Sequence, residues 1–335
     1  SGSTARDNLA AFDRWRLVPK MLRDATVREL SCSVLGTEMP APVLLAPIGV
    51  QSILHPEGEL ASARAAAELG VPMVMSTASS HSIEEVAKAN GDGPRWYQLY
   101  WPNDPDVCVS FLRRAKAAGF STLVVTLDTW SLAWRPRDLD QGYLPFLRGV
   151  GTAVYFSDPV FRAGGALPPE RDLAAAVGRW LPMQTGTDKS WDNLPFLREH
   201  WDGPIVLKGI QHVEDARRAA ESGMDGIVVS NHGGRQVDGA IASLDALPSI
   251  VAAVGEELDV LFDSGIRTGA DAVKALALGA RAVLLGRPYA YGLALGGYSG
   301  VRHVLRSFLA DLDLTLGLSG HSSVVELGPD DLLRR

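Results

Sequence analysis

Eight short apolar runs, most of them separated by a single helix-length segment, leave this chain few architectures. The runs are VLLAP (43–47), PMVMST (72–77), RWYQLY (95–100), TLVVTLD (122–128), PIVLKG (204–209), GIVVSN (226–231), DVLFDSG (259–265) and AVLLGR (282–287). Segments such as EGELASARAAAELG (57–70) and DVCVSFLRRAKAAG (106–119) lie between them. Strands that alternate with helices pair in parallel, because a parallel crossover needs the long connection a helix supplies. Eight such units predict an α/β chain folded as a (β/α)8 TIM barrel. An internal echo points the same way. GIQHVEDARRAAESGMDGIVVSN (209–231) aligns without gaps on GIRTGADAVKALALGARAVLLGR (265–287), with Gly209/Gly265, Asp215/Asp271 and Gly223/Gly279 at equal offsets. Repeated units suit a barrel better than a two-domain dinucleotide fold. No GxGxxG follows the first strand, which disfavours an NAD site.

With 335 residues, 46% of them hydrophobic, the chain has ample material for one large domain spanning 1–335. A net charge of -7 and the lack of a long basic run argue against a nucleic-acid partner. No apolar run approaches the roughly 18 residues that a membrane span needs. Cys32 and Cys108 have no CxxC spacing and no companion histidines. Both read as buried thiols in a reducing, cytoplasmic setting, with neither disulfide nor metal site. No signal-peptide pattern opens the sequence. Two parts fall outside the barrel: a polar N-terminal lead-in of helical character over 1–40, and a Pro-, Gly- and aromatic-rich stretch over 129–190. The latter follows strand four on the barrel's active face and is expected to be a lid.

Barrel chemistry sits at the C-terminal ends of the strands. There the sequence places Ser76 and Thr77, Gln98 and Tyr100, Thr126 and Asp128, then Arg135, Lys208, Ser230, His232 and Arg235, Asp263, Gly265 and Arg267, and Gly286 and Arg287. DSGIR and GRP are glycine turns carrying an arginine, and they suit a phosphate. His232 with a nearby carboxylate can act as a base near neutral pH. Arg235 can clamp a substrate carboxylate through two hydrogen bonds. In SNHGGRQ (230–236), Gly233 and Gly234 let the chain fold close to a ligand, so that His232 and Arg235 face one small molecule. Lys208 can hold negative charge on a cofactor ring.

These residues resemble the FMN-dependent 2-hydroxy-acid oxidases and dehydrogenases. SNHGGRQ matches that family's active-site signature. NLAAFDRWRLVPKMLRD, APIGV, HPEGELASARAAAELG, WYQLY, TLDT, LKGI, DSGIRTGADAVKALALGA and GRP follow in the family's order over essentially the whole chain. The resemblance implies bound FMN, a small 2-hydroxy acid and O2 as reactants, and a homo-oligomer, tetramer or octamer. It implies His232 as base, Asp128 as its orienting carboxylate, Arg235 and Arg135 as carboxylate clamps and Tyr100 as a substrate-contacting hydroxyl. Pro47, Ile48, Gly49, Ser76, Gln98 and Thr126 correspond to flavin-ring contacts, and Lys208 to the lysine beside flavin N1 and O2. Ser230 corresponds to a ring and ribityl contact, and Asp263, Gly265, Arg267, Gly286 and Arg287 to ribityl and phosphate contacts. LDTWSLAWRPRDL (127–139), LPFLRG, YFSDP and Gly49 resemble the lactate 2-monooxygenases, which implies lactate converted to acetate. The alternatives are an oxidase releasing keto acid and hydrogen peroxide, and a flavin-binding scaffold without catalysis. The family's further substrate-binding tyrosine lies just upstream of a stretch like STARDNLAAF. Here that stretch begins at Ser3.

Overall fold

The computed structural model describes residues 1–186 and 188–335, Arg137 by its backbone alone; Thr187, within the expected lid stretch, lies outside the described residues. Each of the eight apolar runs forms a strand: β1 Val43–Leu45, β2 Met73–Ser76, β3 Arg95–Leu99, β4 Leu123–Thr126, β5 Ile205–Ile210, β6 Gly226–Val229, β7 Asp259–Phe262 and β8 Ala282–Leu285. They close into one ring in chain order, with β8 against β1. Every neighbouring pair is parallel. The chain is the (β/α)8 barrel that the alternation predicts.

Alternation of side chains along the strands divides the core into two layers. Leu44, Val74, Trp96, Val124, Val206, Val228, Leu261 and Leu284, one from each strand, fill the barrel interior. Their neighbours, such as Leu45, Met75, Tyr97, Val125 and Leu207, pack outward beneath the helices. Burial on both faces explains why the strands read as continuous apolar runs.

The lead-in is helical only over Ser3–Asp13 (α1). It continues as the strand Trp15–Leu17, which pairs antiparallel with Leu332–Arg334. A hairpin, Cys32–Val34 with Thr37–Met39, then turns through Leu35 and Gly36, both left-handed at φ 50° and 73°. A two-residue turn of that hand matches the twist of a hairpin. Val34 and Met39 plug the interior cluster at its N-terminal end, and Trp96 Nε1 donates to Thr37 Oγ1 at 2.9 Å. The helical character expected of the lead-in holds over Ser3–Asp13; beyond it come strands of only three residues, too short to show a period. Cys108 is buried as expected; Cys32, on the hairpin, is only half-buried. Burial pushes the Cys32 thiol up to about 11 and Cys108 to about 12.

The stretch after β4 is mostly short helices: Pro136–Asp140, Ala153–Phe156, Pro159–Ala163 and Leu173–Gln184. Its second half is packed, since Val154, Tyr155, Phe161 and Trp180 are buried, and Tyr155 meets Phe111 edge-on at 4.7 Å. Its first half is looser, with Trp130 and Trp134 exposed.

Trp96 both fills the barrel and ties it to the hairpin plug. Trp96→Ala should cost about 3–5 kcal/mol and lower the urea midpoint of unfolding. An unchanged midpoint would show that the interior does not depend on that ring.

Candidate active site

The SNHGGRQ turn leaves β6 with three successive residues in the left-handed region: His232 at φ 59°, Gly233 at 66° and Gly234 at 72°. The glycines take this conformation freely, whereas the histidine does so at a cost. Side-chain oxygens hold it. Ser230 Oγ accepts from His232 N–H at 3.1 Å, Ser264 Oγ from Gly233 N–H at 2.9 Å, and Asn231 Oδ1 from Gly234 N–H at 3.0 Å. Ser264, itself at φ 83°, donates to Asp263 Oδ1 at 2.8 Å, so β7 supports the turn that ends β6.

His232 is brought to Asp128, at the end of β4, with Nδ1 2.8 Å from Asp128 Oδ1. Thr129 Oγ1 lies 2.8 Å from the same oxygen and 3.0 Å from Nδ1. A carboxylate only accepts, so the shared hydrogen belongs to Nδ1 and leaves a lone pair on Nε2. Burial alone would raise the Asp128 carboxyl, but the hydrogen bond and charge of His232, with Lys208 and Thr129, hold it below the ordinary carboxylate value.

Lys208 is buried at the end of β5, its ammonium 3.0 Å from Asp263 Oδ2 and 3.0 Å from Ser230 Oγ. Burial would lower its pKa; Asp263 and Asp128 outweigh that and raise it. Gln98 is wholly buried and accepts from Ser76 Oγ at 2.9 Å, yet its Nε2 has no partner among the described residues. The strand register sets Ser76 beside Gln98 and Thr126 beside Lys208. The Pro47–Gly49 stretch lies half-buried beyond β1, and the backbone of Val50 next to it is tied to Ala78 O at 2.8 Å.

Arginines gather at the ends of β6, β7 and β8. Arg287 donates to Gly233 O at 3.0 Å, and burial followed by the charges of Arg267 and Arg235 lowers its pKa. The Arg267 guanidinium donates to a backbone oxygen, Ile266 O, at 2.8 Å. Arg235, Arg267 and Arg287 form no ion pair with a carboxylate among the described residues. Gly265 and Gly286 stand beside them, ahead of the helices that begin at Gly269 and Arg287. Arg135 reaches across from the segment after β4, donating to Arg235 O at 2.9 Å and to Gln236 Oε1 at 2.7 Å. Tyr100 is half-buried; desolvation, then Asp128, raises its hydroxyl. A chamber of about 390 Å³ adjoins Tyr100 and Asp128, walled by Trp101, Trp130 and Trp191 among others.

The structure thus brings the residues selected from sequence to one end of the barrel. It adds groups that strand-end reading overlooks. Thr129 and Gln236 sit inside motifs already noted, TLDT and SNHGGRQ. Ser264 and the partner that holds Asn231, Asn8 on α1, carry no local signal, because their role appears only when distant segments meet.

The family model described as FMN-dependent dehydrogenase matches residues 1–334. An FMN-dependent alpha-hydroxy acid dehydrogenase of Penicillium citrinum is 52% identical over 99% of this chain and 83% of its own length. An L-lactate oxidase of Lysinibacillus sphaericus is 42% identical over 96% of this chain and 82% of its own. The crystal structure of mandelate oxidase superposes with a TM-score of 0.86 at 39% identity, covering 100% of this chain and 90% of that one.

The site fits FMN. An orphaned buried donor costs about 1–3 kcal/mol, and Gln98 Nε2 would regain a partner from a carbonyl oxygen of the flavin ring. Lys208 would face negative charge on that ring, with Ser76, Thr126 and Ser230 as hydroxyl partners. Arg267, Arg287 and the backbone at Gly265 and Gly286 match a phosphate dianion, which would relieve the crowding of cations.

Two outcomes are expected. Arg287→Leu should weaken FMN binding to the apoprotein about 10- to 100-fold, since a charge-assisted hydrogen bond contributes about 1.5–3 kcal/mol; a fluorescence titration reads this, and unaltered affinity would remove Arg287 from the phosphate site. The second concerns pH. Asp128 has a lower pKa folded than unfolded, so it stabilises the fold above the unfolded carboxylate value and loses that contribution as pH falls through the folded one. Asp128→Asn should therefore flatten the acid limb of stability against pH, as followed by urea unfolding between about pH 6 and 3.

Proposed function

Because this chain belongs to the FMN-dependent dehydrogenase family, FMN is its cofactor, and we propose that it oxidises a short L-2-hydroxy acid, with lactate 2-monooxygenase as the specific activity. The observation that carries the reaction class is the His232–Asp128 pair at 2.8 Å, on the same turn as Arg235, which no carboxylate among the described residues engages. Relatives named as alpha-hydroxy acid dehydrogenase and L-lactate oxidase support the substrate class.

Arg235 and Arg135 anchor the substrate carboxylate, Arg235 with both terminal nitrogens available for a bidentate grip. Tyr100, kept protonated by its burial, donates to a substrate oxygen. His232 Nε2 takes a proton from the substrate as the α-carbon is oxidised, and Asp128 stabilises the imidazolium that forms. Bound FMN supplies the two-electron acceptor, and dioxygen leaves as hydrogen peroxide. A keto acid still in place then reacts with that peroxide. Pyruvate and hydrogen peroxide give acetate, carbon dioxide and water, so lactate and O2 give acetate, CO2 and H2O. A keto acid that leaves first gives pyruvate and free peroxide.

Retention is the task of the segment after β4, which Arg135 fastens to the catalytic turn. Gly49 lets the loop after β1 pack close against Ala78: a Cβ there would lie 2.7 Å from Ala78 Cβ and 2.8 Å from Ala78 O, so a larger residue must shift this loop. The second reading is an oxidase that releases keto acid and peroxide, acting on a larger side chain. The tryptophan-walled chamber beside Tyr100 favours it.

Aerobic turnover of L-lactate, with acetate counted against pyruvate and peroxide, tests the proposal. Mostly acetate is expected. Stoichiometric pyruvate and peroxide would establish the oxidase reading, and a larger hydroxy acid turned over faster than lactate would support its substrate. Gly49→Ala should raise the share of free peroxide; no rise would remove Gly49 from retention. His232→Gln should slow anaerobic bleaching of the flavin by substrate about 10²- to 10⁴-fold. Failure of every hydroxy acid to bleach the parent protein would leave only the scaffold reading.

A further inference from the structure

We propose that Asn8, on α1, is a positioning residue for the reaction: its buried amide pair with Asn231 holds the His232 turn in working geometry. The activity arm of this inference rests on the proposed hydroxy-acid oxidation; its structural arm does not.

Asn8 and Asn231 are 2% and 5% exposed, and their amides are matched head to tail. Asn8 Nδ2 donates to Asn231 Oδ1 at 2.8 Å, and Asn231 Nδ2 donates to Asn8 Oδ1 at 2.7 Å. The remaining capacity of the Asn231 amide is used, and so is that of Asn8 Oδ1. Asn231 Oδ1 accepts from Gly234 N–H at 3.0 Å, and Asn231 Nδ2 donates to Ile241 O at 3.1 Å. Asn8 Oδ1 accepts from Ser243 N–H at 3.1 Å, at the start of the helix Ser243–Val254. Loss of the Asn8 side chain would leave a buried amide hydrogen of Asn231 and the Ser243 N–H without partners, and would free the Asn231 amide to rotate away from Gly234.

The close approach of α1 is built into the backbone. A Cβ on Gly234 would lie 2.5 Å from Ala5 N, and one on Gly265 would lie 2.5 Å from Asn8 O. The two glycines belong to the loops after β6 and β7, so α1 is seated across both. A histidine at φ 59° persists only where its surroundings over-determine it. Of the side chains that hold the turn, Ser230 and Ser264 come from the barrel's own strand ends. Asn231 is oriented from outside the barrel, by a residue 223 positions earlier in the chain. The hydrogen bonds of Asn8 all run to Asn231 and Ser243, so it acts through the turn.

The test compares FMN-loaded parent, Asn8→Ala and Asn8→Asp by hydrogen–deuterium exchange and by steady-state kinetics with its hydroxy acid. Asn8→Ala should speed amide exchange over residues 230–236 and leave 73–77, across the barrel, unaltered. It should lower kcat/KM about 100-fold, the cost of a misplacement of about 1 Å. That loss should divide between kcat, through His232, and KM, through Arg235. Asn8→Asp keeps the acceptor for Asn231 Nδ2 and Ser243 N–H and should recover part of both readouts; it also serves alone if the alanine variant does not fold. A lower melting temperature with unaltered kcat, KM and exchange at 230–236 would overturn the inference. A parent protein inert towards hydroxy acids would overturn the proposed function instead, and the exchange pattern would still decide the role of Asn8.

Discussion

A histidine held in the left-handed region is the constraint around which this barrel mouth is arranged. That backbone costs an ordinary residue about 1–2 kcal/mol, and a glycine would occupy it freely. A glycine has no imidazole, however, and an imidazole displaced from this spot would lose Asp128. The cost is offset by hydrogen bonds from two directions, Ser230 and Ser264 beneath and Asn231 from the side of α1. The glycines at 233 and 234 then have a second use, letting Arg287 and the α1 backbone come close. One turn thus determines where four separate segments must meet.

Charge is divided across the mouth in a way that makes sense only with ligands. Lys208 and Asp263 form a buried pair, which by itself is weak evidence of stability because desolvation offsets much of the attraction. Its consequence is a fixed cation at the mouth, where Gln98 Nε2 also lacks a partner among the described residues. At the ends of β6, β7 and β8 lie Arg235, Arg267 and Arg287; burial, then the charges of Arg267 and Arg235, lowers the Arg287 pKa. Such an arrangement is costly in the bare protein and favourable with a phosphate and a carboxylate in place. Anionic ligands that bind only the folded chain therefore add to its stability.

The fold was legible because burial on both faces of a parallel strand leaves a plain apolar run, and the eight runs stand out. Strand ends followed directly, which made His232, Asp128, Lys208 and the arginines readable from their positions. The lead-in was misread after Asp13 because its strands are three residues long, too short for periodicity to decide. Asn8 was invisible for a different reason. An asparagine on a short polar helix is unremarkable until the fold carries it 223 positions along the sequence to Asn231. Ser264 was hidden likewise: its hydroxyl serves a turn on a neighbouring strand, and no spacing within DSGIR announces that.

The looser segment after β4 is joined to the catalytic turn largely through Gln236 and Arg135. Gln236 donates to Asp128 O at 2.7 Å and to Ser131 O at 3.1 Å, while its Oε1 accepts from Arg135 at 2.7 Å. Arg135 also holds Arg235 O. Movement of this segment away from the mouth must break Gln236–Ser131 and withdraw Arg135 together. On the proposed function, Arg135 as second cation for the substrate carboxylate would leave together with this cover. On this geometry, holding an acid and closing over it are one event, because a single set of hydrogen bonds makes both. Under the proposed function, an anionic keto acid engaged by Arg135 would stabilise the arrangement that confines it, and its departure would accompany opening of the segment.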